Sequence, residues 1–440
     1  MVLLRAGDVA AGMGPLTLKH LLWIVGVGVL VRLAAVACAP EPGGLRRLEP
    51  SVIAENLNAG RGFVYEQYGA DYRAWKEPLH IVLLATVTRW AGDGALAVWC
   101  LQWLFGVVAA VGVAWLAFGV FSNPVTATLA GVLAALNPFL VYYDTQVIHP
   151  LSLDVALFTA VTGTILLAVT GSRKTRWTVL AGLVMGLALW QRAALLAAGL
   201  SVWLIAGLVA PRANRPAAMG RAAMWLAIAI AVVSPWLIRN ARLLHRPVFT
   251  TDFSHIVWLG NNPWSNGTYS DMTGRRVIGH ADPAFLKTLQ GASELEQSDL
   301  FWAKAMRFIR DHPGQFAGLV VRRVWAFVWF SPNAGVEYPA WQGRLYRVGY
   351  AGLLALGLLG AGRFWRRAGS DGHHRALLLG AAVAGLAAVH ALTAMNMKHR
   401  VPLELTLSVF AAEALACGWA RARRTLVFSA ARIKGRAVER

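Results

Sequence analysis

Cysteine is scarce in this sequence, which has three cysteines among 440 residues. Cys38, Cys100 and Cys417 each lie in or beside an apolar segment, and their spacing fits neither a disulfide framework nor a pair of metal ligands. The 11 histidines are scattered, and the adjacent residues His373 and His374 belong to no zinc motif. The sequence therefore predicts neither a disulfide-stapled fold nor a structural zinc site.

Charged residues are also few. They make up 15% of the chain, whereas soluble domains carry about 25%. Hydrophobic residues reach 57%, and the mean hydropathy is +0.51. This composition excludes an ordinary soluble enzyme and predicts an integral membrane protein whose helices contact membrane lipids.

Acidic residues are the scarcer of the two charged classes. The 22 Asp and Glu residues are outnumbered by 42 Lys and Arg residues, which gives a net charge of +20. The basic residues stand in short clusters between apolar runs and form no basic domain, so no nucleic-acid partner is expected. In membrane proteins such clusters concentrate in cytoplasmic loops, and they therefore indicate orientation.

Long apolar runs dominate what remains. A helix needs about 20 apolar residues to cross the hydrocarbon core of a bilayer. Runs of suitable length, some of them marginal, occupy residues 21–38, 96–119, 124–143, 151–171, 177–191, 194–210, 222–238, 347–363, 376–394 and 403–420. They predict an all-α polytopic membrane protein with about ten transmembrane helices.

A shorter run at 79–92 decides the predicted topology. If it crossed the membrane, the first basic cluster would lie outside. If it lies in the membrane surface instead, all four clusters are cytoplasmic, at 173–176, 211–221, 363–375 and 421–440. The positive-inside rule favours the surface helix, and so does its length of about 14 residues. Both termini are then cytoplasmic, in a bacterial-type inner (plasma) membrane.

This topology divides the chain into an N-terminal transmembrane module, a second periplasmic loop, a C-terminal transmembrane module and a basic cytoplasmic tail, at 1–238, 239–346, 347–420 and 421–440. The first module contains the first periplasmic loop, at 39–95. The second loop contains a further predicted surface helix at 316–330. Two long loops on one face predict that the chemistry takes place there.

Glu49 stands at the start of a predicted helix in the first loop. Pro50 suits the first helical position, and the helix dipole would stabilise the Glu49 carboxylate. Gly60 and Gly62 then end the helix. From this local pattern alone, Glu49 is either a functional acid or only a cap of a surface helix.

The residues around Glu49 belong to a longer, ordered pattern. Its first part is an acid after the first span, then Ile-Ala-x-Asn-Leu-x-x-Gly-x-Gly-Phe at 53–63, then Pro78. Further pieces follow in order at Asn137-Pro138, Tyr142-Tyr143-Asp144, Gln191-Arg192, Pro235-Trp236-x-Ile238-Arg239-Asn240, Gly260-Asn261-Asn262-Pro263 and Arg400-x-Pro402-x-Glu404. The set resembles the polyprenyl-phosphate-sugar-dependent glycosyltransferases of the GT-C superfold. The closest in pattern is family 39, which includes protein O-mannosyltransferases and the lipid A aminoarabinose transferase.

The resemblance implies a GT-C-like bundle with in-plane surface helices and two large periplasmic loops. It also implies an inverting glycosyltransferase that moves a sugar from a polyprenyl-phosphate donor to a hydroxyl of a lipid, a glycan or a protein at the outer face of the membrane. Glu49 would be the general base. The family often has Asp there, followed by a second acid, whereas Pro50 follows Glu49 here. Glu77, Asp71 and Asp144 are therefore alternative bases.

The departing lipid phosphate requires cations at the outer interface. Five candidates lie at predicted outside ends of spans, against the positive-inside pattern: Arg192, Arg239, Lys398, His399 and Arg400. Their alternative role is to snorkel to lipid headgroups. By the same resemblance, the predicted substrate-binding residues are Asn56, Tyr143, Asp144, Asn261 and Asn262. No cofactor is needed by this chemistry, and a divalent metal held through Asp144 or Asp71 is the alternative.

Two acids lie inside predicted spans, where a charge is costly without a partner. Asp154 is expected to pair with a cation on a neighbouring helix. Glu404 is one turn from Arg400, so an intrahelical pair and a structural role are expected.

Two other functions compete with the transferase. A polymerase or ligase of lipid-linked polysaccharide would share the outside loops and use a larger donor. A transporter or flippase would have interrupted helices with polar residues near the bilayer midplane. The middles of the predicted spans are mostly Ala, Leu, Val and Gly, which speaks against a transporter.

Overall fold

The computed structural model describes residues 16–38, 44–92, 94–281, 283–330 and 340–438, with the backbone alone in 340–342 and 420–438. Between residues 16 and 91, one helix of 20 residues is followed by four shorter elements. They are α1 (Leu18–Ala37), α2 (Glu49–Asn58), the antiparallel strands β1 (Tyr65–Gln67) and β2 (Ala70–Tyr72), and α3 (Pro78–Ala91).

The helices of the bundle follow. They are α4 (Ala95–Phe121), α5 (Pro124–Ala135), α6 (Pro138–Gln146), α7 (Leu151–Thr170), α8 (Lys174–Leu189), α9 (Leu195–Val209) and α10 (Arg215–Leu244). The second loop contains α11 (Asp252–Gly260), α12 (Pro283–Leu289), α13 (Glu294–Asp311) and α14 (Pro313–Val328). The C-terminal helices are α15 (Ala340–Arg367), α16 (Ser370–Leu392) and α17 (Val401–Val438).

The predicted polytopic helical architecture is confirmed. Among the described residues, seven helices are long and apolar enough to cross a membrane, and the pair α5 and α6, bent by 45°, makes an eighth if it is one span. The two other predicted runs form α8 and α9, of 16 and 15 residues. Each is shorter than the roughly 20 residues of a full crossing. Residues 331–339, at the predicted end of the second loop, and the side chains of the basic tail lie outside the described part.

The run at 79–92 forms α3, which has 14 residues and is therefore about 21 Å long, less than the roughly 30 Å of a hydrocarbon core. The helices before and after it reach the same place. Arg32 of α1 donates to Asp144, and Gln102 of α4 donates to the Asp144 carbonyl. The chain thus leaves and re-enters the bundle at one end, which supports a surface position for α3.

Glycines allow neighbouring helices of the bundle to approach closely. A Cβ at Gly112 would overlap Thr159, and one at Gly163 would overlap Trp115, so α4 and α7 run parallel in close contact. The same relation at Gly182 and its neighbours joins α8 to α10. Close approach at small residues is how helices gain packing energy inside a bilayer, where water does not drive their association.

The alternation of helices gives the bundle two different ends. The first, called here the Glu49 end, contains Glu49, Glu77 and Arg192. At the second, the Arg173 end, the basic stretch 172–176 joins α7 to α8, and Arg375 of α16 donates to the carbonyl oxygen of Gly119.

The second predicted surface helix is observed as α14. Its two faces differ: Leu319 and Phe327 are buried, whereas Val321, Val324 and Trp325 are exposed. An apolar, Trp-containing face of this kind suits the interfacial region of a bilayer.

Arg323 fixes α14 to the rest of the molecule from its buried face. Its guanidinium donates to the carbonyl oxygens of Gly260, Gly267 (3.2 Å) and Ala391 (2.9 Å), and to Oδ1 of Asn261 (2.8 Å). No carboxylate of a described residue lies within ion-pair distance of it. One side chain therefore joins the second loop to the end of α16.

Candidate active site

Connecting segments that are far apart in the sequence converge at the Glu49 end. They bring together a polar cluster, defined here as Glu49, Lys76, Glu77, His149, Asp154, Arg192, Asp252 and Lys398. Glu77 connects two of these segments, because its Oε1 accepts the backbone N–H of Ala193 at 3.2 Å.

Glu49 is the first residue of α2, with Pro50 next to it. Its side chain is half-buried, and it forms no hydrogen bond or ion pair with any other residue that the structure describes. It lies close enough to the ammonium groups of Lys76 and Lys398 to interact with both electrostatically. The Glu49 carboxylate is therefore held among cations without being bound by one.

Lys76 forms an ion pair with Asp252, the first residue of α11. Burial opposes the charged form of Lys76, but the Asp252 and Glu49 carboxylates outweigh it and raise the pKa of Lys76. The amine is therefore fully charged at neutral pH. This pair ties the first loop to the second.

Asp154 pairs with Arg192, at 2.7 Å between Oδ2 and Nη2. Its other oxygen accepts from Gln191 at 2.6 Å. The prediction that Asp154 pairs with a cation is confirmed, but the cation lies in the turn between α8 and α9 and not on a neighbouring helix. The charge of Arg192 is partly neutralised as a result.

Glu77, the residue before α3, lies beside the same arginine. Burial raises the pKa of Glu77, and the opposing field of Arg192 reduces this effect. A buried carboxyl with a raised pKa is a stronger base once it is ionised. Glu77 therefore belongs to the cluster and stays an alternative to Glu49.

Lys398 lies in the turn between α16 and α17. Its Nζ is 3.0 Å from Nε2 of His149, whose Nδ1 accepts the N–H of Leu151 at 3.0 Å. Burial and the charge of Lys398 hold the pKa of His149 well below its usual range, so the imidazole is neutral. No carboxylate of a described residue lies within 4.0 Å of Lys398. Its ammonium is thus available to an external anion.

Arg400, in contrast, is not part of the cluster. It is completely buried and donates to Glu404 at 3.0 Å and to the Trp329 carbonyl at 2.7 Å, with the Phe330 and Tyr350 rings on its faces. The predicted Arg400–Glu404 pair is confirmed. Since its donors are engaged inside the protein, Arg400 stabilises the packing of the helices and does not present its charge to a donor phosphate.

The two other predicted phosphate ligands also have protein partners. His399 lies beside the cluster, close enough to Lys398 and Arg192 to interact with both electrostatically, but its ring stacks on that of His390, with centroids 3.8 Å apart. Arg239 donates to the Arg73 carbonyl at 2.8 Å and lies over the Trp236 ring. Of the five predicted cations, the structure therefore brings Arg192 and Lys398 into the cluster.

The alternative bases Asp144 and Asp71 lie elsewhere. Asp144 is buried and forms an ion pair with Arg32 at 2.6 Å. Asp71 is exposed on β2, opposite Glu66. Among the described residues no three His, Cys, Asp or Glu side chains could share a metal ion, and the Asp144 oxygens are already engaged by Arg32 and Ser152.

The predicted substrate-binding residues divide in the same way. Tyr143 lies beside the cluster, with its ring 4.7 Å from that of His149. The side chains of three asparagines form hydrogen bonds with backbone groups. Asn56 donates to the Val64 carbonyl at 2.7 Å, and Asn261 donates to that of Val257 at 2.9 Å. Asn262 accepts from the N–H groups of Trp264 and Ser265.

Three members of the cluster, Lys76, His149 and Asp252, were not predicted, and neither was Tyr269 beside it. Two of them carry a local signal, since Lys76 precedes Glu77-Pro78 and His149 precedes the proline that opens α7. Tyr269 is half-buried and lies near Glu49, Lys76 and Arg192. Burial raises its pKa to about 12, so the neutral phenol is a hydrogen-bond donor at physiological pH.

No protein-family model and no curated protein sequence matches this chain. Solved structures do. The archaeal oligosaccharyltransferase AglB from Archaeoglobus fulgidus, in complex with an inhibitory peptide and a dolichol-phosphate, aligns over 94% of this chain and 52% of its own, at 15% identity and a TM-score of 0.51. The apo form of that enzyme aligns over the same shares at 17% identity and a TM-score of 0.53.

A second enzyme is also similar. ArnT from Cupriavidus metallidurans, bound to undecaprenyl phosphate, aligns over 90% of this chain and 78% of its own, at 16% identity and a TM-score of 0.44. The chain described here spans about half the length of the oligosaccharyltransferase. The fold expected from the ordered sequence pattern is confirmed by the oligosaccharyltransferase alignment over nearly the whole chain, and this protein has the GT-C fold.

Proposed function

We propose that the protein is an inverting glycosyltransferase that moves a sugar from a polyprenyl-phosphate donor to an acceptor hydroxyl. The observation that carries the proposal is the pair of uncommitted charges in the polar cluster. Lys76 and Arg192 have carboxylate partners there. Glu49 has no cation within ion-pair distance among the described residues, and Lys398 has no carboxylate. They lie near each other without touching.

This separation suits a displacement reaction. Glu49 accepts the proton of the acceptor hydroxyl, and the hydroxyl oxygen attacks the anomeric carbon. The bond from that carbon to the phosphate oxygen breaks, and its electron pair leaves with the lipid phosphate. Because one bond forms on the face opposite the bond that breaks, the configuration inverts.

Lys398 stabilises the charge that develops on the phosphate. Arg192, which is 27% exposed in its side chain, has donors left for the same oxygens despite its pair with Asp154. Tyr269, a neutral phenol, adds a further donor. The fold supports a lipid phosphate as the leaving group, because the oligosaccharyltransferase of the same fold was solved with a dolichol-phosphate.

The orientation in the membrane follows from charge. The basic stretch 172–176 and Arg375 lie at the Arg173 end, and such stretches stay in the cytoplasm. We therefore place the Glu49 end at the non-cytoplasmic face of a bacterial-type inner membrane, with both termini cytoplasmic. The acceptor hydroxyl belongs to a lipid, a glycan or a protein.

The direct test is turnover by the purified protein with a panel of polyprenyl-phosphate sugars, followed as release of polyprenyl phosphate. We expect turnover with at least one donor and a product of inverted anomeric configuration by NMR. Glu49→Gln should lower the rate by about a hundredfold or more, as removal of a general base does.

Two matched variants sharpen this test. Glu66→Gln changes an exposed acid of the same loop and should leave the rate unchanged. Glu77→Gln tests the alternative base. The absence of both turnover and binding with every donor would contradict the proposed function. Full activity of Glu49→Gln would contradict the role of Glu49 as the general base.

A further inference from the structure

A concave site lies in the second loop and contains none of the residues of the polar cluster. It is a cleft of about 240 Å³ between α11, α12 and α13. Aromatic rings of Trp258, Trp264 and Phe285 form one part of its wall, and the cations Lys304 and Arg307 another. A concave apolar wall with a few polar groups is the usual form of a ligand site.

Trp264 presents an aromatic surface that is both fixed and open. Its backbone N–H donates to Oδ1 of Asn262 at 3.0 Å, and its ring stacks on that of His280, with centroids 6.1 Å apart and planes inclined by 13°. Nevertheless 42% of the residue is exposed. A large aromatic ring is therefore fixed at the surface with much of its area open to a ligand.

The two cations of the cleft have no acidic partner. Lys304 and Arg307 are one turn apart on α13, and no carboxylate of a described residue lies within 4.0 Å of either. Asp311, one turn further along and also in the wall, is not within that distance of Arg307. The Lys304 ammonium lies 4.1 Å from the Phe285 ring centroid, which keeps it in the cleft. The balance of charge favours an anion.

These two properties together define a class of ligand. The apolar C–H face of a sugar ring packs on an indole surface, while a carboxylate or phosphate on the same sugar suits Lys and Arg. A phospholipid headgroup would use the cations but has no flat apolar ring to cover Trp264.

The cleft is also connected to the polar cluster. Helix α11 begins at Asp252, which pairs with Lys76, and Trp258 of the cleft lies in its last turn. The nine residues of α11 span about 13 Å. The Trp258 ring packs on His255, and His255 on Trp75, with centroids 6.3 and 5.6 Å apart. A ligand of a few sugar rings would reach from one site to the other.

We propose that this cleft binds an acidic saccharide of the acceptor, while a hydroxyl further along the same molecule reaches Glu49. This rests on the proposed glycosyltransferase function and assigns the acceptor to the class of anionic glycans and glycolipids. The cleft would then select the acceptor, and the polar cluster would carry out the transfer.

The test is a binding measurement without donor, on the full chain in nanodiscs of zwitterionic lipid. The probe is a tetrasaccharide of alternating glucuronic acid and N-acetylglucosamine, and its neutral control is tetra-N-acetylchitotetraose. We expect the acidic probe to bind about tenfold more tightly than the neutral one. Trp264→Ala and Lys304→Gln/Arg307→Gln should each weaken that binding about tenfold.

Matched controls lie on the same helix α13. Trp302→Ala removes a tryptophan with the same 42% exposure, and Arg310→Gln removes an exposed cation. Neither residue lines the cleft, so neither variant should change the affinity. Thermal unfolding of every variant shows whether it is folded. Lys304 and Arg307 are exposed, so their replacement should not disturb folding. The test of the two cations therefore stands even if Trp264→Ala is unfolded.

Three results would overturn the proposal: no binding of the acidic probe, equal binding by the variant that lacks both cations, or loss of binding when soluble glycerol 3-phosphate is added at the concentration of the probe, which would identify a phospholipid headgroup as the ligand. Release of polyprenyl phosphate tests the proposed function separately. Donor turnover in a protein that fails the binding test would leave the transferase in place and reject only the cleft.

Discussion

At the scale of single residues, the polar cluster separates side chains that are paired from those that are not. Lys76 with Asp252 and Arg192 with Asp154 form ion pairs, which lower the cost of charges that are partly out of water. Lys398 has only the neutral His149 as its neighbour within bonding distance. Its charge is therefore the least compensated and should respond most to an added phosphate.

We expect Lys398→Gln to weaken binding of undecaprenyl phosphate and to slow transfer by at least about tenfold, because a charge-assisted contact to phosphate is lost. Binding to the purified protein and kcat/KM with the active donor measure the two effects. Lys287→Gln, which changes an exposed lysine of α12, is the control. Unchanged phosphate affinity in Lys398→Gln would show that this ammonium does not meet the donor.

Contacts between side chains that are one helical turn apart could be predicted from the sequence. Contacts between side chains of distant segments could not. Arg400 and Glu404 are one turn apart, so helical spacing alone predicts their contact. Lys76 and Asp252 are 176 positions apart, and His149 and Lys398 are 249 apart. No periodicity relates such positions, since only the packing of the bundle brings their loops together.

At the scale of elements, α1 is attached to α6 by a buried ion pair. Arg32 and Asp144 are both within 1% of complete burial, and Arg32 also donates to the Gly28 carbonyl. Inside a span, water cannot replace a missing partner, so each charge depends on the other. The apolar pattern predicts both helices but not this connection, because the resemblance assigns Asp144 to catalysis or substrate binding.

Arg32→Leu should destabilise the protein by about 3–5 kcal/mol, since it leaves the Asp144 carboxylate buried and unpaired. The double variant Arg32→Leu/Asp144→Leu removes both charges and should recover much of the loss. Thermal unfolding in one detergent compares the two, with the exposed Arg61→Leu as the control. A double variant no more stable than Arg32→Leu would mean that the unpaired Asp144 carboxylate is not the cause of the lost stability.

At the scale of the whole molecule, the two ends of the bundle differ in their charge and in the loops that lie there. The loops that form the polar cluster and the cleft belong to the Glu49 end, and the basic stretch 172–176 lies at the other. Apolar runs and basic clusters were enough to predict this two-ended plan. The bend of 45° between α5 and α6 and the shortness of α8 and α9 depend on packing partners, which hydropathy does not describe.

Single-cysteine reporters test which end faces the cytoplasm. In a background with Cys38, Cys100 and Cys417 replaced by Ala, we expect Glu66→Cys to react with a membrane-impermeant maleimide in intact spheroplasts. Thr175→Cys should react only after permeabilisation, because its loop is basic and cytoplasmic. Both positions are exposed, so reagent access is matched. The opposite labelling pattern would reject the proposed orientation.

The guanidinium of Arg323 has a consequence for protein engineering. Its donors engage carbonyl oxygens from three separate segments, including Ala391 at the end of α16, and a lysine could not reproduce this planar set of contacts. A chimaera that imported only the second loop from a relative would place a foreign side chain at position 323 against the unchanged carbonyl group of Ala391. Grafts intended to change acceptor choice should therefore transplant α14 and the last turn of α16 together.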